Sequence, residues 1–394
     1  YVVELNDTDN IHDTMARTLD KIVDEIKLIK KSNNRPMWPM IILKTPKGWT
    51  GPKEINGKII ENSFRSHQVP ITISNDSDLK LLEKWLMSYN PKELFDKNGK
   101  LIPELKELVP IGYRRMGANP NANGGLLLKN LRVPDYRDYA IKVDRPGNVV
   151  AQDMMELGKY VRDLIKLNKD SRNFRAFAPD ETLSNRLNYV FEETNRKWNA
   201  DLLPTDEYLD KDGYIFDSML SEHVCEGLLE GYLLTGRHGF FNCYEAFIRI
   251  VDSMTSQHAK WLKVTSELPW RKEISSLNYV LTSHVWQQDH NGFTHQDPGF
   301  MNHLATKKAD ITRIYLPPDA NCLLQCFDHC IRSKNYINVI IASKHPRPQW
   351  LNMEQANKHC TEGSGLWQWA SNENGEEPDI VWSCGGDSPT WEGL

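Results

Sequence analysis

"SSLNYVLTSHVWQQDHNGFTHQDPGF", residues 275–300, joins two contrasting halves. The first, 275–283, is β-prone and largely apolar, the composition of a strand buried in a sheet. The second, 284–300, holds three His, two Asp, three Gln and one Asn around Gly292, Pro298 and Gly299. An unpaired buried polar group costs about 1–3 kcal/mol, so such a run is either a solvated loop or the lining of a site. A polar, Gly/Pro-containing segment leaving an apolar strand is where α/β proteins place their ligand loops.

Elements alternate on both sides of this junction. Helical periodicity runs over 11–31, 77–89, 152–168, 220–234, 244–264 and 320–333, and short apolar strands are predicted at 40–43, 173–178, 275–283, 310–318 and 336–344. A last strand is predicted at 379–386. Such alternation predicts an α/β fold with largely parallel sheets and helices on both faces. Gly, Pro and Asn concentrate over 110–148, which reads as a linker at a domain boundary.

The balance of 48 Lys and Arg against 53 Asp and Glu, net −5, gives no basic surface for a nucleic acid. Apolar runs such as "MIIL" (40–43) fall far short of the roughly 20 residues of a membrane span. Seven unevenly spaced cysteines point to a reducing cytoplasm rather than a disulfide framework. "CLLQCFDHC" (322–330) spaces Cys322, Cys326 and Cys330 on one helix face, which reads as buried thiols rather than a zinc knuckle. The chain opens on Tyr1 without Met or a signal-peptide pattern, as an interior piece of a longer protein would.

In a parallel sheet the loops leaving the strands meet at one edge. The polar loops 44–52, 178–187, 283–299 and 343–350 would bring together Lys47, Ser184, Arg186, His290, Asn291, His295 and Lys344, a set suited to a phosphorylated substrate. Glu222 opens an apolar helix behind Ser221, where it serves the helix dipole or a site. Neither a Gly-x-Gly-x-x-Gly nor a Walker phosphate loop is present, nor a Gly-x-Ser-x-Gly elbow.

Seven motifs in order, "TPKGWTGP" (45–52), "SFRSHQVP" (63–70), "PDETLSNRL" (179–187), "LSEHVCEG" (220–227), "LLTGRHGFFNCYEAF" (233–247), "QDHNGFTHQDPG" (288–299) and "SKHPRPQW" (343–350), closely resemble the phosphoketolases. These are thiamine-diphosphate enzymes acting on xylulose 5-phosphate and fructose 6-phosphate, and "QDHNGFTHQDPG" separates them from transketolase. The resemblance implies a thiamine-diphosphate-binding fold. It makes 1–125 the C-terminal part of the diphosphate-binding domain plus the start of a linker, 126–350 the pyrimidine-binding domain, and 351–394 a linker and the start of the C-terminal domain. The family is longer than this chain, and the motif that carries Mg²⁺ and the diphosphate falls upstream of Tyr1.

What the resemblance implies for function is phosphorolytic cleavage of a ketose phosphate to acetyl phosphate and an aldose phosphate, in a cytoplasmic homodimer with sites between subunits. It gives Glu222 the bond to the aminopyrimidine ring of the cofactor. His295 and His67 are candidates for the acid that expels hydroxide, with Lys47 and Lys344 beside them. Ser184, Arg186, Tyr244, Gln288, His290 and Asn291 match residues that hold phosphate. Two other readings stay open: a transketolase-like transferase using the same cofactor, and a folded or dimerising module without catalysis. Whether this chain acts alone, and on a pentose or a hexose, is left open at this level.

Overall fold

The computed structural model describes residues 1–5, 10–34, 36–67, 70–118, 128–217, 220–283, 297, 299–372, 375 and 377–394. The chain divides into two compact units, Tyr1–Pro110 and Ile111–Leu394.

In the first unit β1 (Val2–Glu4) pairs in parallel with β2 (Ile42–Lys44), and α1 (Ile11–Ile29) connects them. Asn10 caps α1 by accepting the His12 N–H at 3.0 Å. A hairpin, β3 (Glu54–Ile55) and β4 (Lys58–Ile59), precedes α2 (Asp76–Met87), whose cap Asn75 accepts the amides of Ser77 and Asp78. Two single turns, α3 (Pro91–Leu94) and α4 (Pro103–Lys106), complete the unit; each begins on proline, which has no N–H to orphan at a helix start.

The second unit runs β5 (Val149–Gln152), α5 (Asp153–Asn168), β6 (Phe174–Phe177), β7 (Arg196–Lys197), β8 (Leu209–Asp210) and β9 (Ile215–Phe216). It continues with α6 (Glu222–Leu234), β10 (His238–Tyr244), α7 (Glu245–Ile248), α8 (Asp252–Thr265), β11 (Leu277–Thr282), α9 (Gly299–Ala305) and β12 (Thr312–Tyr315). The last elements are α10 (Ala320–Arg332), β13 (Ile337–Ile341), β14 (Pro346–Gln349), α11 (Met353–Glu362) and α12 (Asp387–Gly393).

Eight of these strands form one sheet in the order β12-β13-β11-β10-β6-β9-β7-β8, and every pairing is parallel. A parallel sheet is buried on both faces, which is why β10 and β11 carry no exposed residue at all. On one face α5 and α10 supply Leu157, Tyr160, Leu164, Leu323 and Phe327 at helical spacing. Phe327 meets both Tyr160 and Phe240 edge-to-face, with ring centroids 5.8 and 5.2 Å apart. On the other face α6, α8 and α9 bury Leu229, Leu233, Leu262 and Phe300 against Phe241, Tyr279 and Leu281. Each such side chain contributes about 1.5–3 kcal/mol when fully buried. Gly239 lets β10 close on its neighbours, since a Cβ there would stand 2.6 Å from the Arg175 carbonyl oxygen.

Three sequence expectations are corrected. The helix expected over 244–264 is broken: Tyr244 ends β10, and α7 and α8 are separated by a 3-10 turn at Arg249–Val251. The strand β10 itself was not foreseen. The strand expected at 379–386 does not form, because its exposed Ile380, Val381 and Trp382 find no strand to pair with among the described residues, and 387–393 turn into α12 instead. The segment 128–148, expected as linker, is irregular but not detached, since Leu131, Val133, Tyr136 and Tyr139 pack on the α5–α10 core.

Candidate active site

Because every strand of the large sheet points the same way, its C-terminal edge collects the ends of β6, β9, β10, β11 and β13. Three of the four polar loops foreseen from the sequence leave this edge. The fourth, with Lys47, follows β2 in the first unit; there Lys47 and His67 are both exposed, His67 closing a 3-10 turn at Phe64–His67. Gln288, His290, Asn291 and His295 lie outside the described residues.

The loop after β6 is held in place by a buried acid. Asp217, just beyond β9, accepts the amides of Glu181 and Thr182 at 2.8 and 3.2 Å and the Arg196 Nε at 2.9 Å. At the loop's far end Arg186 adopts φ +65°, and Asp180 adopts φ +62°. Non-glycine residues held there cost of order 1–3 kcal/mol each, a strain found at functional sites. Ser184 donates from Oγ to the Glu181 carbonyl at 3.1 Å. Arg186 Nε, Thr182 Oγ1 and Asn185 Nδ2 are buried without hydrogen-bond partners among the described residues, as are both amide atoms of Asn242 on β10. Buried polar atoms are nearly always paired; such orphans also occur elsewhere among the described residues, but Arg186 Nε and Asn185 Nδ2 fall in one loop at this edge, which makes it a candidate place for a polar ligand.

Opposite stands Lys344, beyond β13 and only 4% exposed. Its Nζ donates to the Ser283 Oγ at the end of β11 and lies 4.1 Å from the centroid of the Tyr244 ring at the end of β10. Tyr244 is buried, and its amide donates to Glu181 Oε2 at 3.0 Å. Burial raises the Glu181 carboxyl to about 8; the Tyr244 amide opposes the rise, the nearby Glu222 carboxylate adds to it, and Lys344 opposes it. Glu222 is the first residue of α6 and half-buried. Ser221 precedes it at the cap, but its hydroxyl takes no backbone amide of the helix and meets the His223 Nε2 at 3.4 Å instead, so a plain capping role for that pair is weakened.

Of the set the sequence brings to this edge, Ser184, Arg186 and Lys344 lie there; Glu222 and Tyr244, which only the family resemblance singles out, lie beside them, and Glu181, Asp217 and Asn242 carry no signal in the sequence. An acidic residue in a polar loop reads as solvated, and only the pairing of its motif with β10 reveals it as buried. Among the described residues no group of His, Cys, Asp and Glu is arranged to hold a metal ion.

Three family models match the chain in succession: the XFP N-terminal domain over 1–127, D-xylulose 5-phosphate/D-fructose 6-phosphate phosphoketolase over 155–333, and the XFP C-terminal domain over 344–394. The chain belongs to the phosphoketolase family. A probable phosphoketolase of Clostridium acetobutylicum is 60% identical over 403 residues, covering 100% of this chain and 51% of that protein. Probable phosphoketolase 2 of a Nostoc species is 59% identical over 402 residues, with the same coverage. The chain therefore spans about half the length of these phosphoketolases.

Among solved structures, a transketolase of Pichia stipitis in complex with sedoheptulose 7-phosphate aligns with a TM-score of 0.50 at 16% identity, over 91% of this chain and 49% of that one. The transketolase from Leishmania mexicana aligns at 0.50 and 15% identity, over 90% and 48%. At such identity the likeness concerns the fold, which is the α/β thiamine-diphosphate fold expected of a phosphoketolase. No helix among the described residues is long and apolar enough to cross a membrane.

Proposed function

We propose that this chain carries the pyrimidine-side half of a phosphoketolase site, which cleaves xylulose 5-phosphate or fructose 6-phosphate with inorganic phosphate to acetyl phosphate and glyceraldehyde 3-phosphate or erythrose 4-phosphate. The single observation that supports it best is the meeting of Lys344, Tyr244 and Glu181 with Glu222 at one sheet edge, in a chain 60% identical to a probable phosphoketolase.

The residues present fit a thiamine-diphosphate ring. Glu222, half-buried at the start of α6, offers a carboxylate to a ring nitrogen, and the orphaned amides of Asn185 and Asn242 need a polar partner. When bound, the cofactor supplies the nucleophilic carbon that opens the ketose. Glu222 holds a proton at the ring nitrogen and orients the ring. Arg186 and Ser184 receive phosphate, the guanidinium by its planar fork and the hydroxyl as a neutral donor. Lys344, desolvated against Tyr244, places a cation where negative charge develops and where hydroxide departs. The family resemblance offers His295 and His67 as the acids for that departure and Lys47 as a further cation, with Gln288, His290 and Asn291 for phosphate recognition. Mg²⁺ is proposed to be held by residues outside this sequence. By the same reading 1–125, 126–350 and 351–394 are parts of three successive domains, and the sites form between subunits of a homodimer.

The test uses the chain completed to the length of its relatives, with xylulose 5-phosphate, inorganic phosphate, thiamine diphosphate and Mg²⁺. Acetyl phosphate trapped as its hydroxamate is the expected product. Transfer of a two-carbon unit to an added aldose, with no hydroxamate, would instead make the protein a transketolase-type transferase.

A further inference from the structure

Glu181 belongs to a polar surface loop by sequence, yet it is only 5% exposed. Its backbone is fixed by Asp217 from the end of β9, and its side chain by the Tyr244 amide from the end of β10. A residue tied to two strand ends beside Glu222 and Lys344 is in no position to be a spare surface charge.

We propose that Glu181 is a positioning residue of this site, acting on Tyr244 through its hydrogen bond and on Glu222 and Lys344 through the charge it withholds. The inference rests on the phosphoketolase reading above. The groups that face Glu181 are Glu222 at the start of α6 with Cys225 behind it, Cys243 and Tyr244 on β10, Lys344 beyond β13 and Asp217 beyond β9. Burial keeps its carboxyl protonated up to about pH 8. As a neutral acid it adds no negative charge beside Glu222 and takes nothing from the field that Lys344 directs at phosphate and at the departing hydroxyl. Once ionised, it sets a second negative charge beside Glu222 and damps the field of Lys344. Both changes oppose the chemistry, so the site loses competence as Glu181 ionises.

Two variants separate the two actions. Glu181→Gln keeps an acceptor for the Tyr244 amide and cannot ionise, whereas Glu181→Ala loses the acceptor. Wild type and variants are compared in the chain completed to its relatives' length, by acetyl phosphate formation from pH 6 to pH 10. The wild-type kcat is expected to fall above about pH 8, the Gln variant to move that limb upward by about one pH unit or more, and the Ala variant to lose about tenfold or more at every pH. A readout without cofactor accompanies these. An acid whose folded-state value is raised contributes stability that is present below its unfolded value near 4.5 and is lost as pH rises through about 8. The melting temperature of Glu181→Gln is therefore expected to gain on wild type between pH 5 and pH 8. An alkaline limb at the same pH in both proteins, or a melting difference that does not change with pH, overturns the inference. Wild type that makes no acetyl phosphate while the melting difference follows pH overturns the functional reading and leaves the electrostatics of Glu181 supported.

Discussion

The Lys344 ammonium lies 4.1 Å from the centroid of the Tyr244 ring while donating to Ser283, so the ends of β10, β11 and β13 meet at one buried cation. Few cations are buried this deeply without a task, because desolvation of an ammonium is costly unless something repays it. Replacing Lys344 with Met keeps the aliphatic stem and deletes the charge. Loss of one contact to developing charge lowers kcat by about a hundredfold or more. The expected signature is that drop with KM for phosphate changed far less, measured by steady-state acetyl phosphate formation. A raised KM at unchanged kcat would make Lys344 a binding residue only.

Glu222 sits at the first position of α6, partly exposed, and the side chain of Ser221 does not cap the helix. Glu222→Gln should therefore fold normally, losing only the ~0.3–1 kcal/mol that an acid contributes at a helix start. A neutral amide cannot share a proton with a ring nitrogen. In the chain completed to its relatives' length, exchange of the C2 proton of bound thiamine diphosphate, followed by NMR, should slow by about a hundredfold or more. Normal exchange in this variant would remove Glu222 from the role proposed for it.

Arg186 combines a left-handed backbone, φ +65°, with a buried Nε that has no partner among the described residues. Arg186→Lys preserves the charge and removes the planar fork, so under the proposed role a phosphate that could take two parallel bonds would keep one point contact. Charge-assisted hydrogen bonds are worth about 1.5–3 kcal/mol, hence KM for phosphate or for the sugar phosphate should rise about tenfold or more. Unchanged KM for both would place the guanidinium outside the pocket.

Much of this architecture was legible in the sequence because amphipathic helices such as α5 and buried strands such as β11 announce themselves by periodicity and composition. The strand β10 escaped because "HGFFNCY" has no alternation, being buried on both faces, and because Tyr244 continues smoothly into a helical pattern. The misread strand at 379–386 shows the converse: β-prone residues make a strand only where a neighbour offers an edge. At the site, Arg186, Glu222 and Lys344 were readable from motifs, but Glu181 was not. Its burial comes from the pairing of β6 with β10 and from Asp217, contacts 36 and 63 residues away along the chain.

The last prediction concerns Glu226, one turn beyond Glu222 on α6 and wholly buried. Its Oε1 accepts the Tyr279 hydroxyl, which also bonds Thr255 Oγ1 at 2.8 Å, while its Oε2 has no partner among the described residues. Burial raises the carboxyl to about 8, with the Tyr279 bond pulling it down and Glu230 pushing it up. The stability tied to its protonation is therefore present below its unfolded value near 4.5 and is lost as pH rises through about 8. Tyr279→Phe removes the hydroxyl and leaves Thr255 its other acceptor, the Val251 carbonyl. At pH 6, where Glu226 is neutral, the variant should lose about 1–3 kcal/mol of unfolding free energy in urea. At pH 9 the carboxylate loses a charge-assisted donor, roughly twice as strong, so the loss should be larger. A penalty that shrinks between pH 6 and pH 9 would mean that Tyr279 does not stabilise the ionised form, and that the β11–α6 contact rests on packing alone.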